Sequence, residues 1–247
     1  MSEKYKVNKT AANYNNHIGV PLTILSTNEK HNVLVAELGT NHFGEIPYTA
    51  PIASPDLALI TNIGDSHLEY LKNRRGVFAE KSALLKETIN RGGKVFINND
   101  DKILKEFGKT LKNKITFALN EKADYKTSIK GYDKLARPQI EIKSRKNVFV
   151  STLPISGEKN VLNFTAAFAI ASELGLTNSQ IQKAVKKIKS YNKRLEIKNH
   201  KSFTLINDSY NANPDSMKLS IRDSTAPHEC LNVFHPVFLC IQLFIFL

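Results

Sequence analysis

Short apolar runs alternate with helical patterns along this chain, and that alternation constrains its fold more than any other feature. NVLVAEL (32–38) and LALITNI (57–63) are short, β-branched and bounded by turn residues, as buried strands are. RRGVFAEKSALLKETINRGG (74–93) follows a helical period and stops at the Gly92-Gly93 pair. GKVFINNDD predicts another strand, DKILKEFGKTL a short helix and KITFAL a further strand. Strand then helix, repeated, is the pattern of an α/β fold with a mostly parallel sheet flanked by helices. Between the first two strands, GEIPYTAPIASPD holds three prolines and a short amphipathic piece. From about 124 to 153 the pattern changes. YKTSIKGYD, PQIEIKS and NVFVSTLP predict strands without helices, hence a small antiparallel appendage. Helices are expected over 160–175, ended by Gly175, and over 179–190, with apolar positions at 181, 184, 185 and 188. RLEIKN and SFTLIND predict two more strands.

With 247 residues, 41% of them apolar, the chain is long enough for one sizeable domain or two small ones. A boundary is expected near 190–194, giving a central domain over 1–191 and the start of another over 192–221. Residues 222–247 form a tail of different composition, and its last part, VFHPVFLCIQLFIFL (233–247), is almost wholly apolar. That run is shorter than the ~20 residues of a membrane helix and is broken by Pro236. Both cysteines, Cys230 and Cys240, lie in this tail, so no disulfide framework holds the body, which suits a reducing cytoplasm. The polar N-terminus lacks the apolar core of a secretory signal. The net charge of +12 fits either a lysine-rich solvated surface or attraction to anionic partners such as nucleotides. Aromatics do not interleave with the basic residues as a nucleic-acid platform requires.

In open α/β sheets ligands sit beyond the carboxyl ends of the strands. Glu37 ends the first strand and Asn62 the second, and His67 and Glu69 follow across the turn at Gly64. A carboxylate and an imidazole at one edge can bind a divalent ion, although singly an acid there is as readily a helix cap and a histidine simply hydrogen-bonded. On the helix, Val77, Lys81, Leu84 and Thr88 share a face, which sets a lysine within a partly apolar stripe. Such a lysine either snorkels to water or has altered chemistry. An ammonium cannot ligate a metal, but the carbamate formed with carbon dioxide can. GTNHFGEI (39–46) has the glycine spacing of a phosphate loop, yet Glu45-Ile46 stands where Lys-Ser/Thr must follow. NDSYNANPDSM (207–217) leaves a strand dense in side-chain donors and acceptors, which suits turns and caps or a ribose.

Together, NYNNHIGVPLT (13–23), VAELGTNHFGEI (35–46), PDLALITNIGDSHLE (55–69), GVFAEKSALLK (76–86), NVLNFTAAFAIA (160–171), RLE (194–196) and NDSYNANPDSM (207–217) resemble the Mur ligase family. They are most similar to the branch that adds D-alanyl-D-alanine to UDP-N-acetylmuramoyl-tripeptide. The resemblance implies an ATP-dependent, magnesium-dependent amide ligase acting through an acyl phosphate, with a Rossmann-like third domain after the central one. It implies Glu37 and His67 as magnesium ligands and Lys81 as a carbamylated lysine completing the metal site. These three would be the catalytic group. It places Asn62 near the phosphates, Asn163 against adenine, Arg194 at the terminal phosphate and Asp208 on the ribose. Nucleic acid is not an expected partner, and neither is a membrane apart from the apolar tail, for which a membrane anchor is the alternative.

The sequence departs from the family pattern in three places. The domain that grips the UDP moiety and the phosphate loop are not found in residues 1–247, and the third domain's pattern stops shortly after Met217. Phosphate positioning is a large catalytic term in phosphoryl transfer, so this chain alone is expected not to turn over ATP. Two alternatives follow: a non-catalytic remnant that binds nucleotide or a partner, and a metal-dependent hydrolase built on His67 and Glu69. The second lacks another histidine at metal-ligand spacing.

Overall fold

In the computed structural model the described residues are 1–188, except Ser66, 134–136 and Lys146, with the backbone of 196–199, 204–207 and 237–240. The main sheet has six strands in sequential order: β3 (Leu57–Leu59), β4 (Lys94–Asn98), β5 (Lys114–Ala118), β6 (Tyr125–Tyr132), β7 (Pro138–Lys143) and β8 (Val148–Thr152). The first four are mutually parallel and the last three antiparallel. The appendage read from the sequence is therefore continuous with the parallel sheet, because β6 pairs with β5 on one edge and β7 on the other. Before this sheet come β1 (Val7–Lys9), α1 (Gly19–Leu25), β2 (Val33–Val35) and α2 (Glu45–Ala53), with β1 and β2 forming a separate parallel pair.

Helices cover both faces, and β4 shows how the sequence specifies this. Consecutive strand side chains point to opposite faces. Val95 and Ile97 join one core with Leu71, Val77, Leu85 and Leu104, under α3 (Leu68–Leu71), α4 (Arg74–Asn90) and α5 (Lys102–Lys109). Phe96 joins the other with Phe117, Ile140, Phe149, Phe164 and Phe168, under α6 (Glu158–Glu173) and α7 (Asn178–Val185). All three β4 residues are fully buried. That is why the strand reads as a continuous apolar run rather than alternating.

Turn chemistry fixes the carboxyl edge of the sheet. At the end of β4, Asn98 is buried and its Nδ2 donates to the carbonyl of Thr61 at 2.8 Å. Asp101 caps α5 by accepting from the amides of Ile103 and Leu104, and its other oxygen accepts from the Ile63 amide at 2.6 Å. Asp100 accepts from the amides of Leu119, Asn120 and Glu121 beyond β5. The Asn-Asn-Asp-Asp run thus ties the ends of three parallel strands together.

Most elements lie where the sequence places them, with shorter strands. The run 32–38 contributes only Val33–Val35 and the run 57–63 only Leu57–Leu59. The helix expected over 179–190 is a helix over Asn178–Val185, started by a capping box between Thr177 and Gln180. Beyond it, β9 (Glu196–Asn199) and β10 (Thr204–Asn207) pair antiparallel, and β11 (Val237–Cys240), inside the apolar tail, runs parallel to β10. The expected boundary near 190–194 lies outside the described residues. No helix among the described residues is long and apolar enough to cross a membrane.

Candidate active site

Two residues of the turn after β3, Asp65 and His67, have separate structural tasks. Asp65 accepts two hydrogen bonds from the Arg74 guanidinium, from Nε at 2.8 Å and a terminal nitrogen at 2.7 Å. This fork ties the turn to the first residue of α4. His67 then adopts a left-handed conformation, φ 54°, and its carbonyl accepts from the Tyr70 and Leu71 amides to open α3. A non-glycine residue held there is uncommon and needs support from its surroundings.

Lys81 lies on the buried stripe of α4 between Val77 and Thr88, both fully buried. Burial lowers its proton affinity below that of an ordinary lysine. The nearby ammonium of Lys159, in the first turn of α6, lowers it further, and Asp101 opposes the shift. His67 is exposed, yet partial desolvation lowers its pKa, with Lys81 and His42 acting in the same direction and Glu45 against them. Lys81 is therefore an electrostatic neighbour of both His67 and Lys159. All three are basic, and the pKa values of His67 and Lys81 are both depressed.

The glycine-containing loop 39–46 packs against this turn. The rings of His42 and Tyr70 lie 4.0 Å apart, centroid to centroid. Glu45 folds back so that its carboxylate accepts from the amides of Asn41, at 2.5 Å, and His42, at 3.1 Å. Burial alone would raise the pKa of Glu45, but these donors outweigh it and hold the carboxyl below its usual range. From α4, the buried Glu80 accepts from the amides of Gly44 at 2.8 Å and Ile46 at 2.7 Å. Carboxylates thus occupy four amides of this loop, two of them held by Glu45, the wrong-sign charge read in GTNHFGEI.

Glu37 stands two residues beyond β2 and is exposed. Its amide donates to Thr10 Oγ1 at 2.8 Å, and its carboxylate accepts from Asn15 Nδ2 at 2.9 Å. The carboxylate among the electrostatic neighbours of His67 is Glu45, not Glu37. Asn62 is half-buried just past β3, between two tethered residues: the Thr61 carbonyl is held by Asn98 of β4 and the Ile63 amide by Asp101, the cap of α5. Asn163 is exposed on α6, one turn after Lys159 and on the same face. Arg194 and Asp208 lie outside the described residues. Nearest to them in the described strands, Glu196 and Asn207 face each other across the β9–β10 ladder. Glu69 is exposed in α3. Among the described residues, no group of three or more His, Cys, Asp or Glu is placed to hold a metal ion by itself.

Sequence reasoning missed Glu80, Asn15, Asp101 and Lys159. Asp101 had a readable signal, an Asx residue between a strand and a helix. Glu80 and Lys159 had none, because each acts across a long sequence separation.

Comparison with known proteins places the chain in a family. Residues 1–171 match the family model of the Mur ligase middle domain. The UDP-N-acetylmuramoyl-tripeptide--D-alanyl-D-alanine ligase of Bacillus subtilis (strain 168) is 33% identical over 223 residues, covering 90% of this chain and 48% of that protein. The enzyme of the same name from Haemophilus influenzae is 36% identical over 219 residues, covering 86% and 46%. A crystal structure of MurF from Acinetobacter baumannii superposes with a TM-score of 0.84 at 30% identity, covering 92% of this chain and 49% of that one. MurF ligase from Thermotoga maritima in complex with ADP gives 0.79 at 25% identity, covering 90% and 51%. The chain thus spans about half the length of these relatives. By the match of its first 171 residues to the middle-domain pattern, supported by these relatives, the chain belongs to the Mur ligase family.

Proposed function

We propose that this chain is the central, nucleotide-handling part of an ATP-dependent amide ligase that joins D-alanyl-D-alanine to UDP-N-acetylmuramoyl-tripeptide. The observation that supports the reading is that His67, in the turn after β3, and Lys81, on α4, are electrostatic neighbours, each with its proton affinity reduced. In such a ligase the tripeptide carboxylate attacks the terminal phosphorus of ATP, and ADP leaves. The dipeptide amine then adds to the acyl phosphate carbon, and loss of phosphate and a proton leaves the amide.

The donor chemistry of the site fits magnesium when substrate phosphates supply the remaining oxygens, as such sites commonly do. Bound magnesium would neutralise charge accumulating on the phosphoryl oxygens. A neutral His67 keeps a ring-nitrogen lone pair free, and Glu37 supplies a carboxylate from the end of β2. Lys81 as a free amine can add carbon dioxide, forming a nitrogen–carbon bond and releasing one proton, to become an anionic carbamate. Its interaction with Lys159 would then change from repulsion to attraction. Asn62, Asn163, Arg194 and Asp208 are assigned to the nucleotide, and Lys159 adds fixed positive charge nearby.

Calorimetric titration of the purified chain with ADP, with and without magnesium, tests this reading. Magnesium-dependent binding that is lost in Lys81→Met is expected, and no binding in either condition would refute it. A second reading, binding without turnover, is supported by the sequence, since residues 1–247 hold no glycine-rich run ending in Gly-Lys-Ser/Thr. It predicts no phosphate release from ATP when both peptide substrates are supplied. Release that depends on both would exclude it.

A further inference from the structure

We propose that Glu80 is a positioning residue for the metal–nucleotide site, acting through the loop 40–46; this rests on the nucleotide-handling reading above. Glu80 is 2% exposed, and both carboxylate oxygens are engaged. Oε1 accepts from the Ile46 amide at 2.7 Å and from Thr40 Oγ1 at 3.4 Å, and Oε2 accepts from the Gly44 amide at 2.8 Å. Gly44 precedes α2 at φ +94° and has no side chain to cap it. Glu80 takes over that task from a different helix, thirty-four to forty residues away in sequence. The loop it clamps carries His42 and Glu45, both electrostatic neighbours of His67. Lys81 is the next residue along α4. One turn of α4 therefore sets Lys81 directly and the surroundings of His67 indirectly.

A buried glutamate bonded to backbone could instead be only a core staple. Glu80→Gln separates the two roles. Glutamine offers one acceptor oxygen and one donor nitrogen, so in either orientation it opposes a donor to one of the two amides. Outer partners that orient metal ligands are typically worth about 10–100-fold in metal affinity, and Glu80, which bonds the loop rather than a ligand, belongs at the low end of that range. Calorimetry should therefore show magnesium-dependent ADP binding to Glu80→Gln weakened by about tenfold or more. Metal-free ADP binding should fall by clearly less than the magnesium-dependent binding does. Equal loss in both conditions, or no loss, would overturn the proposal while leaving the nucleotide reading intact. A wild-type chain that binds no ADP would overturn both. Hydrogen exchange in the wild-type chain supplies a measurement independent of the variant's folding. The Gly44 and Ile46 amides should exchange as slowly as those of β4, and fast exchange at both would refute the clamp.

Discussion

The Arg74 guanidinium holds the Asp65 carboxylate by two parallel hydrogen bonds, and this fork joins the turn after β3 to the start of α4. Between the two lies His67 in its left-handed conformation, so the fork braces the backbone that presents the imidazole.

Replacing Arg74 by lysine keeps the charge and loses the planar fork. Both partners are partly exposed, which discounts the electrostatic gain, so the expected cost is about 1 kcal/mol. Amide exchange over residues 64–71 should accelerate more than exchange in β4. Unchanged protection in that turn would show that α3 and Leu71, rather than the fork, hold it.

Glu37 depends on a glycine. A Cβ at Gly39 would come within 2.7–2.8 Å of the Asn15 side-chain amide, the group that donates to Glu37. Gly39→Ala must displace that amide. It and Asn15→Ala should each destabilise by about 1 kcal/mol. Because both break the same bond, the double variant should cost less than the sum. Urea denaturation of the three variants measures this, and strict additivity would exclude the coupling.

Tyr125 begins β6 on the other side of the sheet. Burial pushes its hydroxyl up to about 12, helped by its 3.0 Å bond to Glu173. The folded state thus favours neutral tyrosine. That stability is complete below the ordinary value of about 10 and is lost as pH rises through 10 to 12. Ultraviolet titration should show a late tyrosine ionisation, and Tyr125→Phe should remove that late step. Late ionisation that persists in the variant would assign it to another tyrosine.

The sequence carried the strand–helix order well, because a parallel sheet covered on both faces needs apolar runs such as Val95-Phe96-Ile97 whatever the rest of the chain does. It carried Lys81 through helical period and His67 through its turn. It did not carry their surroundings. Glu45 was readable as the wrong charge for a phosphate loop, but not as the acid that would face His67. Glu80 reads as a surface residue of a charged helix and is 2% exposed. Its partners, Thr40, Gly44 and Ile46, are close only once α2 packs on α4. Local pattern specifies elements, whereas hydrogen bonds between distant elements depend on packing that no local pattern encodes.

Lys81 should make stability depend on pH in a direction that identifies it. Burial and Lys159 lower its folded pKa, while in the unfolded chain it titrates near the ordinary 10.5. Between those two values the unfolded chain holds more protons than the folded one, so unfolding free energy rises with pH. Urea midpoints between pH 7 and 10, in solutions freed of carbon dioxide so that the amine stays unmodified, should therefore climb in the wild-type chain. Lys81→Met removes the titrating group and should flatten that climb. It should also be more stable than wild type at neutral pH, because no ammonium then has to be buried or neutralised. Readmitting bicarbonate should stabilise only the chain that retains Lys81, since carbamate formation replaces repulsion from Lys159 with attraction. Equal slopes in the two chains would mean that Lys81 reaches solvent and keeps ordinary basicity, and the free amine needed to capture carbon dioxide would be scarce at neutral pH.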